Sequence, residues 1–345
     1  MGRVYRVVLD HHPVRNSPNR GVHLFPVLMK NFLGKAFLFV LLQVCIFAWV
    51  WNPDLRHEHN YLAATIDKHH RLKSTPSPRI ILIGGSNLAF GVKSDLLEHE
   101  LGLPVVNMGL NAALGVSFML REARSEIQKG DIVVLSLEYD IFSGVGVEQV
   151  LRQLLELRPP SFRYVSYDRW KRVADAYGLS ILGGMARRTL VGNFKSEAAP
   201  MSGFASYRRE LFDVAGSYIG HYGKPSGNPE LHKVKILELS ESNKALIARF
   251  ARHCVDQGAI CLFTCPPHPE ELLTPLPVGI EHNLRELQHI PNLKVLDAPK
   301  DQMFPASAFY DTCYHLTERY AATRTIKLAE ELRPFVSIAN RTSSH

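Results

Sequence analysis

The sequence predicts an α/β fold: a doubly wound, mainly parallel five-stranded sheet with a helical insertion, preceded by one transmembrane helix. Three observations predict it. From residue 79 onward, short β-rich runs alternate with helical patterns, as they do in a parallel sheet covered by helices. Between residue 141 and about residue 238 that alternation breaks into Arg- and Tyr-rich helical pieces separated by "RPP", "GG" and "KPSGNP". Near the N-terminus, "FLGKAFLFVLLQVCIFAWVW" runs from Phe32 to Trp51 with only Lys35 and Gln43 strongly polar.

Twenty helical residues just cross a hydrocarbon core of about 30 Å. Lys35 can snorkel to one interface while Trp49 and Trp51 sit at the other. No small-residue cleavage site follows, so residues 32–51 read as an uncleaved anchor rather than a removed signal. Before residue 36, Arg3, Arg6, Arg15, Arg20, Lys30 and Lys35 face Asp10 alone. That bias places residues 1–31 in the cytoplasm and everything after Pro53 outside it, as a single-pass inner-membrane protein with a periplasmic or extracellular domain.

Residues 52–78 are charged and His-rich and end in "STPSP", a juxtamembrane stalk and linker. The pairs His57 with His59 and His69 with His70 lack Cys or carboxylate partners at ligand spacing, so neither a metal nor another cofactor is expected. Residues 79–83 form the first strand, followed by a helix over 93–101 and a strand from Val105. A helix over 117–129 is closed by Gly130, and "DIVVLSLEY" from Asp131 is continuously apolar, as a buried parallel strand is. After the insertion come a helix with Leu246, Ile247, Phe250 and Cys254 on one stripe, strands from Ala259 and Leu293, and a last helix over 316–332. The domain spans 79–335, the insertion covers the ligand-binding edge of the sheet, and 336–345 reads as a flexible tail.

The 345 residues carry a formal charge of +7, but the basic residues are dispersed. No zinc-finger spacing or RNA-binding aromatic signature accompanies them, which argues against nucleic acid. The five cysteines, Cys45, Cys254, Cys261, Cys265 and Cys313, contain no C-x-x-C pair; Cys45 falls in the membrane helix, and an odd, sparse set reads as buried thiols rather than a disulfide framework, although an oxidising exterior permits one bridge.

Ligands of open α/β sheets bind outside the carboxyl ends of the strands. "RIILIGGSNLAFG" sets Ser86 there, after two glycines that let the backbone turn sharply. A serine so placed is either a nucleophile or a cap in a phosphate-binding or structural turn. Far along the chain, "AFYDTCYHLTERY" puts Asp311 and His315 just before the last helix. A serine needs a base within reach and an orienter behind that base, and Ser86, His315 and Asp311 supply those three roles.

Together these blocks resemble the SGNH (GDSL-like) hydrolase superfamily over residues 79–335. The resemblance implies a flavodoxin-like domain, "GGSN" with Ser86 as nucleophile, "NMGLN" with Gly109 as an amide donor to the oxyanion, and "DTCYHL" with the Asp and His. Three residues rather than two separate Asp311 from His315, similar to a D-T-x-Y-H-L subgroup. The third strand ends in "SLEYD", where the family has an asparagine donor, and a carboxylate at Glu138 or Asp140 would repel an oxyanion. Asn111 or Asn87 is left to replace a donor whose loss costs roughly 3 kcal/mol. With one N-terminal span, the layout resembles membrane-anchored members of cell-envelope polysaccharide acylation. That likeness implies an esterase or O-acyltransferase on an acylated glycan, with a membrane-bound O-acyltransferase as partner. A non-catalytic glycan-binding or assembly protein and a membrane-held lipid or small-ester hydrolase are the alternatives.

Overall fold

The computed structural model describes residues 24–51, 59–144, 146–191, 207–227, 236–273 and 277–343. The chain divides into two units, one up to Trp49 and one from Val50 onward. The first holds helix α1 (Leu24–Trp51), which begins inside the segment expected to be cytoplasmic. Its stretch Met29–Trp49, 21 residues with none buried, is long and apolar enough to cross a membrane, a property that an anchor and a signal sequence share. Residues 1–23 and the start of the expected stalk, 52–58, lie outside the described residues.

In the second unit the chain runs through α2 (Ala64–Ser74), β1 (Ile80–Gly84), α3 (Ser86–Gly91), α4 (Ser94–Leu101), β2 (Val105–Asn107), α5 (Val116–Arg124) and β3 (Ile132–Ser136). The insertion holds α6 (Glu148–Leu157) and α7 (Tyr167–Val191). Then follow α8 (Glu241–Asp256), β4 (Ile260–Phe263), β5 (His268–Pro269), α9 (Glu270–Leu273), α10 (Val278–Gln288), β6 (Lys294–Val295), β7 (Met303–Phe304) and α11 (Glu318–Ser343). Five strands form one all-parallel sheet in the order β2-β1-β3-β4-β6. β5 and β7 pair separately, and at two residues each they are too short to leave a periodic pattern in sequence.

Strand period explains the two layers of core. Ile81, Ile83, Val133 and Leu135 share one cluster with Leu120, Ile247, Phe250 and Cys254, so α5 and α8 cover that face. Ile80, Leu82, Ile132 and Val134 share the other with Leu97, Leu328 and Leu332, so α4 and α11 cover the opposite face. Each such side chain, once buried, contributes about 1.5–3 kcal/mol. Cys254, Cys261 and Cys265 are buried free thiols in the first of these clusters.

Two expectations need correction. The described part of residues 52–78 is no stalk: a 3-10 turn at Tyr61–Ala63 and α2 bury Tyr61, Leu62, Ile66, His69 and Leu72 in the domain. High charge hid an apolar face that only tertiary packing reveals. The segment 336–345, read as a flexible tail, is helical through Ser343, and residues 344–345 lie outside the described residues. Leu328, Leu332, Phe335 and Ala339 recur at helical spacing and are all buried, which carries α11 past Pro334.

Candidate functional site

β1 ends against β3, and the close approach explains the paired glycines. A Cβ on Gly84 would collide with the carbonyl oxygen of Ser136, and one on Gly85 with the carboxyl of Glu138. Ser86 therefore opens α3 at the carboxyl edge of the sheet, half-buried. The turn is clamped from beneath. Asn87 donates its backbone N–H to Glu138 Oε1 at 3.0 Å and its side-chain amide to Ser136 O at 3.0 Å. Arg324, wholly buried on α11, donates to Asn87 O at 3.0 Å, to Ser136 Oγ at 3.1 Å and to Cys265 O at 3.3 Å. Asn87 is thus spent on holding the turn and does not replace a missing oxyanion donor.

Asp311 and His315 face each other in a closed loop. Tyr310 N–H donates to His315 O at 2.7 Å, and Phe309 bridges Leu316 in antiparallel fashion, which closes the loop over Thr312 and Cys313 while Tyr314 stays buried. His315 Nδ1 lies 2.7 Å from Asp311 Oδ1. A carboxylate only accepts, so Nδ1 carries the proton and Nε2 is left as the basic nitrogen. The Tyr207 hydroxyl donates to the other oxygen, Asp311 Oδ2. Burial pushes the Asp311 carboxyl up, but the His315 and Tyr207 hydrogen bonds and the His315 charge outweigh it and hold it below the ordinary value.

The histidine packs on the helix that the serine opens. The His315 ring, 2% exposed, stacks on Phe90 with ring centres 3.8 Å apart and planes within 5°. Phe90 stands four residues after Ser86 in α3, one turn along the same helical face. The loop also meets the end of β3, where the Tyr139 N–H donates to the Tyr314 hydroxyl at 3.2 Å. Asp311 and His315 are thereby packed against α3, the helix that Ser86 opens at the carboxyl end of β1. Tyr61, Tyr207, Tyr218 and His221 crowd the same Phe90 ring, with centroids 4.6–6.4 Å away. Burial, and next the His315 charge, lower the pKa of His221 to about 4, which keeps it neutral.

The oxyanion candidates divide. Gly109 lies against Gly85 O, Leu88 and Ala89, beside the serine turn, but its N–H donates to Asn107 Oδ1 at 2.9 Å. Asn111 caps a 3-10 turn by accepting the Ala113 N–H at 2.9 Å, which leaves its own amide as a donor. Glu138 is 1% exposed, and its Oε2 has no hydrogen-bond partner among the described residues. Burial raises its pKa to about 7 against the Asn87 hydrogen bonds. A carboxyl that holds its proton near neutrality repels a developing negative charge far less than an ionised one. Among the described residues no group of three or more His, Cys, Asp or Glu side chains is arranged to hold a metal.

Sequence reasoning missed Phe90, Tyr207 and Arg324. Arg324 left a signal, one arginine on a face otherwise made of Ala321, Thr325 and Leu328. Tyr207 left none, because it comes from the insertion, far from either block. No protein-family model matches the chain, and no curated protein matches it in sequence.

Proposed function

We propose that this chain is a serine-dependent acyl-transfer enzyme of the cell envelope, acting on an ester borne by a glycan. The observation that carries the reading is the His315–Asp311 pair stacked on Phe90, one helical turn from Ser86. Ser86 Oγ attacks the ester carbonyl while His315 Nε2 takes its proton. The tetrahedral intermediate collapses to an acyl-serine as that proton passes to the leaving oxygen. Asp311 holds the imidazole by Nδ1–H and favours the imidazolium that forms. The Ser86 N–H and the Asn111 amide serve the oxyanion, joined by Gly109 N–H if it exchanges its bond to Asn107. Apo sites commonly hold such groups apart until substrate closes them together.

Water as second acceptor makes the protein an esterase; a sugar hydroxyl makes it an O-acyltransferase. An uncleaved α1 would keep the domain at the outer face of the cytoplasmic membrane, beside a membrane-bound O-acyltransferase. The test is turnover of an aryl acetate by the full chain in detergent, followed by acetate release from, or transfer to, an oligosaccharide. Activity that vanishes in Ser86→Ala and in His315→Ala supports the proposal; equal activity in all three proteins refutes it.

One observation favours a second reading. The Gly109 amide is already bonded, and β3 ends in carboxylates rather than an amide donor, which suits a glycan-binding or assembly protein that keeps the fold without turnover. Saturable binding of an acylated oligosaccharide with no acetate released would favour it.

A further inference from the structure

A groove of about 550 Å³ opens between α5, α8 and the 3-10 turn Pro159–Tyr164, away from Ser86. Four arginines line it: Arg121 and Arg124 from α5, Arg163 from the turn and Arg249 from α8. Its floor includes the buried rings of Tyr164 and Phe250, and no carboxylate is among the lining side chains.

The buried and half-buried arginines around the groove's neighbouring elements are paired. Arg79 meets Asp131, Arg158 meets Glu122, and Arg169 and Arg172 share Glu148. None of the four groove arginines has a carboxylate partner among the described residues; Arg163 instead lies over the Tyr164 ring at 4.8 Å and near His69 at 3.4 Å. A purely structural reading covers Arg121 and Arg124, which complement the carbonyl end of α5. The ring contact accounts for part of Arg163, and Arg249, in the middle of α8, is left unexplained.

Four like charges converging on one concave surface repel each other and focus a positive field into it. Guanidinium forks match phosphate oxygens two at a time, and the volume suits a small molecule or a headgroup. We infer that this groove binds an anionic phosphate group, its oxygens held by Arg121, Arg124, Arg163 and Arg249 and its apolar or planar remainder resting on Tyr164 and Phe250. The site is independent of the chemistry at Ser86.

The full chain in non-ionic detergent would be titrated calorimetrically with inorganic pyrophosphate and, separately, with monomeric dihexanoyl phosphatidylglycerol. Arg121→Gln combined with Arg249→Gln is compared with a charge-matched control, Arg252→Gln combined with Arg333→Gln, whose exposed side chains lie outside the groove. Binding weakened about tenfold or more by the groove pair, and less than about twofold by the control, is expected. Pyrophosphate alone binding this way identifies a soluble phosphate ester; phosphatidylglycerol binding this way identifies a lipid headgroup. No saturable binding of either probe, or equal weakening by both variant pairs, overturns the inference.

Discussion

The Tyr207 hydroxyl reaches Asp311 from outside both sequence blocks, and its bond steadies the carboxylate that in turn holds His315. Tyr207→Phe removes that donor with little change of shape. If the imidazolium forms during turnover, kcat falls on the order of tenfold while KM stays put, since the lost bond belongs to the charged state. Steady-state kinetics on an aryl ester read this directly; an unchanged kcat with a lowered melting point would make Tyr207 structural only. Glu138 makes a different prediction. Its pKa lies near 7 in the folded protein and at 4.5 ordinarily, so between those values the folded state keeps a proton that the unfolded chain has released. Stability from this group therefore falls as pH rises from about 4.5 to about 7. Glu138→Gln keeps an acceptor for the Asn87 N–H and cannot titrate, so its stability relative to the parent rises across that window and is flat on either side. Urea unfolding at a series of pH values decides it, and a constant difference contradicts the assignment.

At the level of elements, α3 is six residues long and would not persist alone; Glu138 accepts an N–H that its first turn leaves open, and Arg324 donates to the Asn87 carbonyl. The last helix depends on its apolar stripe. A chain ending at Arg333 loses the buried Phe335 and removes Ala339 from the same face. It should unfold about 2–4 kcal/mol more easily in urea, whereas an unchanged midpoint would mean that the segment is a tail after all. This difference marks how far elements were legible. The five sheet strands were readable as short β-rich runs, and α8 carried its apolar stripe of Leu246, Ile247, Phe250 and Cys254. The segment 60–74 was not, because Lys68, His69 and Arg71 disguise a face whose burial rests on Asn107, Gly216 and Tyr164, all distant in sequence. The glycine pair announced a close approach, but that a carboxyl stood behind it depended on the register of β1 with β3.

Across the whole molecule, an all-parallel sheet puts every strand's carboxyl end on one rim, and there Phe90 and His315, more than two hundred positions apart, stack on each other. The His315–Asp311 contact was legible because the two residues lie four apart in one loop, while the aromatic surround that Tyr207 adds to Phe90 came only with the folded insertion. If α1 anchors the domain outside the cytoplasm, a periplasm-dependent reporter fused after His345 is active and a cytoplasm-dependent one is silent; the reverse would exclude that topology. The central claim is that the rim activates one hydroxyl. Labelling the full chain with a serine-directed fluorophosphonate and locating the adduct by peptide mass spectrometry tests it most directly. The account predicts a single adduct on Ser86, lost in Ser86→Ala and strongly slowed in His315→Ala. An unlabelled protein, or an adduct carried elsewhere and indifferent to both substitutions, would contradict it.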